Sequence, residues 1–403
     1  MQRRLFAMMV LEIGIWGAWQ IKIFPYMQML KFSAGQQAAV GSVFGIASLA
    51  GIFCGNQIAD RYFAAERFLA FSHLIGGVVL IATAFVHDFV WFFTLFLVYG
   101  LLYVPTLSVA NSIAFAHLKD SAREFGIVRM GGTVGWIVVS WPFIFLLSRR
   151  ADVKQTSLIF IVAGVLSLAL AIYSLTLPPT PARKDSEGLD RLAWLRVVRL
   201  IGVPYVALLF IVTLLDAVIH NGYFVVIDGF LTRVGISAGM TMVVSSIGQV
   251  AEIVTMISLG SVLSRLGWKW TMIIGIMGHA VRYGIFAFFG QREYQWLIIA
   301  VQLLHGICYA FFFATVYIFV DSVFPKDVRA SAQGSVNLLI LGVGTVAASQ
   351  LFPRLLTLFI VSSPSADQGM VNYQQLFLVP LSIALIASLL LLLFFKPPTT
   401  RPS

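Results

Sequence analysis

The sequence predicts an all-α membrane protein with twelve transmembrane helices in two six-helix bundles, and three observations lead there. Of 403 residues, 59% are hydrophobic and only 11% charged, whereas a water-facing surface needs roughly a quarter of the chain charged. Apolar runs of about 20 residues, the length that crosses a hydrocarbon core, follow one another with short gaps. A glycine-and-charge loop then recurs about half a chain apart, as expected of two related halves.

The first run, 5–28, begins after Met-Gln-Arg-Arg and passes Met27 without a small-residue cleavage site, so it is expected to be a retained span and not a leader. The second (37–59) and fifth (126–148) carry Gly41/Gly45, Gly51/Gly55 and Gly131/Gly135, a fourfold spacing that lets backbones pack where lipid gives no hydrophobic drive. The third (69–86), fourth (90–117) and sixth (156–177) are continuous apolar runs. Pro178 to Arg199, with Pro-Pro-Thr-Pro and Arg-Lys-Asp-Ser-Glu, is the one long polar stretch. It divides a bundle over 1–177 from a second over 201–403 through a linker at 178–200. Spans seven to twelve are expected near 201–226, 239–263, 270–289, 295–321, 331–357 and 375–395.

The even count puts both termini on one side. Seventeen of the 27 Lys and Arg fall on that side, seven on the other and three inside spans, so the positive-inside rule makes both termini cytoplasmic. The net charge of +10 is thereby explained by membrane orientation, and no nucleic-acid partner is expected. The recurring loop contains Gly55, Asp60, Arg61 and Arg67 after the second span, and Gly260, Arg265, Gly267 and Lys269 after the eighth. It resembles the signature loop of the major facilitator superfamily, in which such residues act as conformational-switch loops.

Two motifs imitate catalytic ones. Gly235-Ile-Ser-Ala-Gly239 lies between two spans, not between a strand and a helix, and Gly342-Val-Gly344-Thr-Val-Ala347 lies inside an apolar run with no strand before it; both contexts refuse the enzyme reading. No His-Glu-x-x-His and no Walker lysine loop occurs. Cys54 and Cys308 sit in apolar runs and suggest no disulfide. No enzyme, metal or cofactor is therefore expected.

An ionisable group inside a span costs about 2.5–3.5 kcal/mol on insertion scales, so each one is a functional candidate. The candidates are Glu12, Lys22, Arg129, Asp216, Glu252 and Arg282, with His220, His279 and His305. Lys22 lies near the outer end of span one and is expected to reach water. Arg129, Thr133 and Trp136 share one helix face and offer a cation, a hydroxyl and an aromatic plane. Gln249 and Glu252, one turn apart, suit hydroxyls or a base edge; an ion pair of Glu252 with Arg282 is the structural alternative. Asp216, His220 and Tyr223 in span seven, and His305 with Tyr309 in span ten, offer aromatic bodies with polar tips for a flat heterocycle.

Ile15-Trp16-Gly17-Ala18-Trp19, Tyr103-Val-Pro-Thr-Leu107 with Asn111-Ser112, Arg129-x-x-Gly132-Thr133-x-Gly135, Gln249-x-x-Glu252 and Arg329-Ala-Ser-Ala-Gln-Gly334 together resemble the bacterial nucleoside:proton symporter family of the major facilitator superfamily. The resemblance covers about residues 8–395. It implies uptake by alternating access, with substrate held between the halves by Arg129, Thr133, Gln249 and Glu252. Trp136 stands where the family can have phenylalanine, and His220 and Tyr223 stand where it has glutamine and asparagine. The family's Tyr/Phe-Asp-Phe-Phe reads Tyr309-Ala310-Phe311-Phe312 here, so the aspartate associated with proton coupling is absent. Glu12, Asp216 and Glu252 are the coupling candidates. The open alternatives are an uncoupled facilitator, a carrier of a sugar or other small polar solute, and a sensor that binds without transport. A monomer in a bacterial inner membrane is expected.

Overall fold

Apolar side chains in every direction and few turn residues leave helix as the way to satisfy the backbone in lipid, and the computed structural model is built of helices. It describes residues 1–50, 63–118, 121–148, 151–181, 202–324, 326–361 and 370–396. Among these, ten helices are long and apolar enough to cross a membrane. The chain divides into two units, Met1–Glu187 with Ile236–Ser246, and Gly188–Gly235 with Ile247–Ser403.

In the first unit, α1 (Gln2–Trp19) stops at a turn and resumes as α2 (Ile23–Met29). Ser33 caps α3 (Ala34–Gly41) through a capping box with Gln36, satisfying two backbone N–H groups that the first turn leaves open. After α4 (Val43–Ala50), the rest of the expected second span, with Gly51, Gly55, Asp60 and Arg61, lies outside the described residues. Then come α5 (Ala65–Thr83), α6 (Phe89–His117), α7 (Ser121–Ser140), the short α8 (Phe143–Leu146) and α9 (Val153–Thr156), and α10 (Leu158–Ser174). The fifth span, expected over 126–148, corresponds to the apolar stretch Glu124–Leu146, within which α7 ends at Ser140, next to Trp141-Pro142. Proline lacks the N–H that would continue the ladder.

Small residues set the seams. A Cβ at Gly131 would lie 2.7 Å from the Phe6 carbonyl oxygen, and one at Gly135 would collide with the Val10 carbonyl, so α7 rides directly on the backbone of α1. Gly77 and Gly164 do the same between α5 and α10, where a Cβ on Gly77 would be 2.9 Å from the Gly164 oxygen.

The second unit has α11 (Pro204–Arg233), entered through a proline at its first position, where a missing N–H costs nothing. The expected spans eight and nine are two helices that follow one another as the two arms of α12 (Ala238–Phe288), separated by the non-helical backbone of Gly267; the first arm begins among the residues of the first unit, which extend to Ser246. Gly267 has φ +71, a left-handed conformation open to glycine at little cost. Span ten is composite: α13 (Gln295–Ala300), α14 (Leu304–Cys308), a π-helical turn over Tyr309–Ala314 and α15 (Thr315–Val323). A second π turn, Leu338–Val343, joins α16 (Lys326–Asn337) to α17 (Gly344–Leu358). A two-residue strand pair, Ile360↔Val371 and Val361↔Met370, precedes α18 (Tyr373–Phe394).

Candidate functional site

In the first unit the polar residues gather around Glu12, which has no exposed surface. Its Oε2 lies 2.8 Å from His73 Nε2 on α5, and its Oε1 lies 2.7 Å from the Thr106 hydroxyl on α6. The Tyr103 hydroxyl donates to the Glu12 backbone carbonyl at 2.7 Å. Behind the imidazole, His73 Nδ1 is 3.0 Å from Ser167 Oγ on α10, and that hydroxyl donates to the His73 carbonyl at 2.9 Å. Helices α5 and α6 therefore converge on the α1 carboxylate, and α10 holds the imidazole from behind. His73, Thr106 and Ser167 were not singled out by sequence reasoning, although a histidine within the apolar run 69–86 was the available signal.

Arg129, Thr133 and Trp136 lie on α7 as the spacing predicts. Arg129 is exposed, Thr133 half-buried and Trp136 buried. The indole lies 6.1 Å from the Trp16 ring and against Gly17, where a Cβ would come within 3.0 Å of it; any larger residue at 17 would displace the ring. Lys22 does not reach water as expected: it is 3% exposed, at the N-cap of α2 in the turn that follows Trp19.

The second unit contains a denser cluster. Asp216, His220 and Tyr223 lie along α11, His279 and Arg282 on the second arm of α12, and Gln302, His305 and Tyr309 along the composite span. Arg282 is fully buried and has one terminal nitrogen 2.7 Å from His305 Nδ1 and the other 3.0 Å from His279 Nδ1. A guanidinium only donates, so both Nδ1 atoms accept and the ring protons sit on Nε2. His279 Nε2 faces Asp216 Oδ2 at 3.6 Å. The guanidinium carbon lies 4.3 Å from the centre of the Tyr223 ring, and the Tyr223 hydroxyl donates to Gln302 Oε1 at 2.8 Å. His220 stacks on His305 at 4.9 Å and lies 6.3 Å from Tyr309. The structure thus brings together seven residues picked from sequence, and adds Gln302, which the sequence did not mark.

Gln249 and Glu252 lie one turn apart on the first arm of α12. Gln249 is buried, and its Oε1 has no hydrogen-bond partner among the described residues. Glu252 is half-buried. Gly306 makes this contact possible, since a Cβ there would lie on the Glu252 backbone nitrogen.

Ala310 has no exposed surface and packs with Leu259, Phe311 and Ala314 in an apolar cluster, so nothing titratable replaces the missing aspartate there. Of the switch-loop residues, Arg67 and Arg265 are exposed, and Lys269 Nζ donates to the Leu392 carbonyl at 2.7 Å, tying the α12 bend to the end of α18.

A family model described as nucleoside H+ symporter matches residues 1–400. The protein YegT of Escherichia coli K12, provisionally named a nucleoside transporter, is 29% identical over 400 residues, covering 96% of this chain and 92% of its own. The xanthosine permease of the same strain is 27% identical, covering 98% and 95%. The crystal structure of the nucleoside transporter NupG superposes with a TM-score of 0.85 at 23% identity, covering 98% of this chain and 99% of that one. A D-xylose-proton symporter shares the fold at a TM-score of 0.72 and 14% identity, covering 98% of each chain. The chain belongs to the nucleoside H+ symporter family, multi-pass membrane transporters with the major facilitator fold.

Proposed function

We propose that this chain takes up a nucleoside by alternating access, with both termini in the cytoplasm of a bacterial cell, as a monomer in the inner membrane. The observation that carries this reading is the contrast between two kinds of intramembrane polar group. Arg282 and Asp216 are sealed, whereas Arg129 is exposed and Thr133, Glu252, His220 and Tyr309 are half-buried. An open charged group at membrane depth belongs to a hydrated path, because lipid contact is too costly.

Arg129 and Thr133 supply a cation and a hydroxyl, and Trp136 a flat apolar wall. Gln249 and Glu252 accept from ribose hydroxyls or from a base edge. His220 and Tyr309 supply aromatic surface, backed from within by His305 and Tyr223. Purine or pyrimidine preference follows from the last group, where His220 and Tyr223 depart from the family's amides.

Uptake of radiolabelled uridine into proteoliposomes tests the reading. Adenosine, uridine and xanthosine are expected to compete with the label, and D-xylose and glucose are not. Competition by the sugars alone would discard the nucleoside, and binding without flux would make the protein a sensor.

A further inference from the structure

We infer that Glu12 and His73 together form the proton-carrying site of this transporter; the inference rests on the reading of the chain as a proton-coupled carrier and names the residues that do the coupling.

The 2.8 Å contact between His73 Nε2 and Glu12 Oε2 must hold one hydrogen, because an Nε2 lone pair facing a carboxylate would be repelled. The Ser167 hydroxyl has one proton to give and two acceptors within reach, His73 Nδ1 at 3.0 Å and the His73 carbonyl at 2.9 Å. Donated to Nδ1, it leaves the pair with the single Nε2–Oε2 hydrogen and one negative charge. Donated to the carbonyl, it leaves Oγ to accept from an Nδ1–H, and the pair then holds a second hydrogen and is neutral. The two states differ by one proton, taken from water or returned to it, and by the rotation of one hydroxyl. Proton occupancy is thereby tied to the contact of α5 with α10 behind the Glu12 carboxylate.

The surroundings favour this pair over the other carboxylates. From α6, Tyr99 and Tyr103 face Glu12; Tyr103 spends its proton on the Glu12 carbonyl, and Tyr99 accepts from Trp19 Nε1 at 3.1 Å. From α5, Glu66 and Arg67 sit at the far first turn, where Glu66 accepts from the Thr180 N–H. From α10, Ser167 is the group in contact, and the Tyr173 hydroxyl donates to the Arg4 carbonyl near the start of α1. From α7, the Arg129 charge acts on Tyr103 and Glu124 lies in the first turn; the exposed guanidinium is solvated and its field screened. Glu12 thus has a removable cation in direct contact. Asp216 is linked through His279 to Arg282, a permanent cation that cannot be loaded and unloaded.

The test uses the full chain in proteoliposomes with radiolabelled uridine. Wild type is expected to accumulate uridine under an acid-outside gradient. Glu12→Gln is expected to let inside and outside concentrations equalise without accumulation, while exchange of internal for external uridine at equal pH continues. Accumulation by Glu12→Gln at the wild-type level overturns the inference. His73→Asn is expected to displace the pH profile of accumulation, and it decides the matter if Glu12→Gln does not fold; an unmoved profile again overturns it. If wild type moves no nucleoside, the substrate reading fails instead, and infrared difference spectra between acidic and alkaline buffer judge the proton site alone. A protonated-carboxyl band lost in Glu12→Gln upholds it, and an unchanged band removes it.

Discussion

Neither oxygen of Asp216 has a hydrogen-bond partner among the described residues, yet the carboxylate is fully buried. Its polar neighbours are His279 and, through it, Arg282. Breaking such a buried set by removing one partner costs about 3–5 kcal/mol, more than removing both. Arg282→Met is therefore expected to lower the thermal midpoint in detergent strongly, and the double variant Arg282→Met with Asp216→Asn to recover part of the loss. A double variant no better than the single would show that packing on Tyr223, not charge, is what Arg282 provides. For Glu252, the Gln variant is expected to weaken uridine binding at least about tenfold, the loss of one charge-assisted hydrogen bond, as read by equilibrium binding. At this scale the sequence was informative wherever a residue type is costly in lipid: Glu12, Arg129, Asp216 and Arg282 stand out by composition alone. Their partners did not, because His73 is 61 positions from Glu12 and serine, threonine and glutamine are cheap enough in a span to carry no signal.

Helices were legible from apolar run length, but their interruptions were less so. Gly267, with φ +71, is the non-helical joint between the two expected spans of α12, and replacing it with alanine is expected to cost about 1 kcal/mol or more, since the backbone cannot relax without moving both arms. A lower thermal midpoint checks this. The π turns over Tyr309–Ala314 and Leu338–Val343 have no sequence signature that periodicity detects. They insert one residue into the ladder, a distortion frequent at functional sites, and the first shifts the face that Ala310 presents. The strand pair Ile360–Val361 and Met370–Val371 was not expected either, because two-residue strands fall below any alternation pattern.

For the whole molecule, the charge asymmetry gives a test independent of substrate. Cysteine placed at Ser148 is expected to react with a membrane-impermeant maleimide added to intact cells, and cysteine at Ser403 is not. The reverse result would invert the topology. The two-bundle class was readable because lipid permits few architectures and because the glycine-and-charge loop appears twice. Which polar groups seal one another and which stay open was not readable, since that depends on helix rotation, set by seams such as Gly77 on Gly164 and Gly306 on Glu252.

The seam between α1 and α7 has a mechanical corollary. With Gly131 and Gly135 seated on the carbonyls of Phe6 and Val10, neither helix can slide along the other without a backbone collision. Glu12 and Arg129 are thus mounted on a common rigid beam. A reporter group attached to the lipid side of α7 will register every displacement of the carboxylate, so protonation can be followed as movement at a distance.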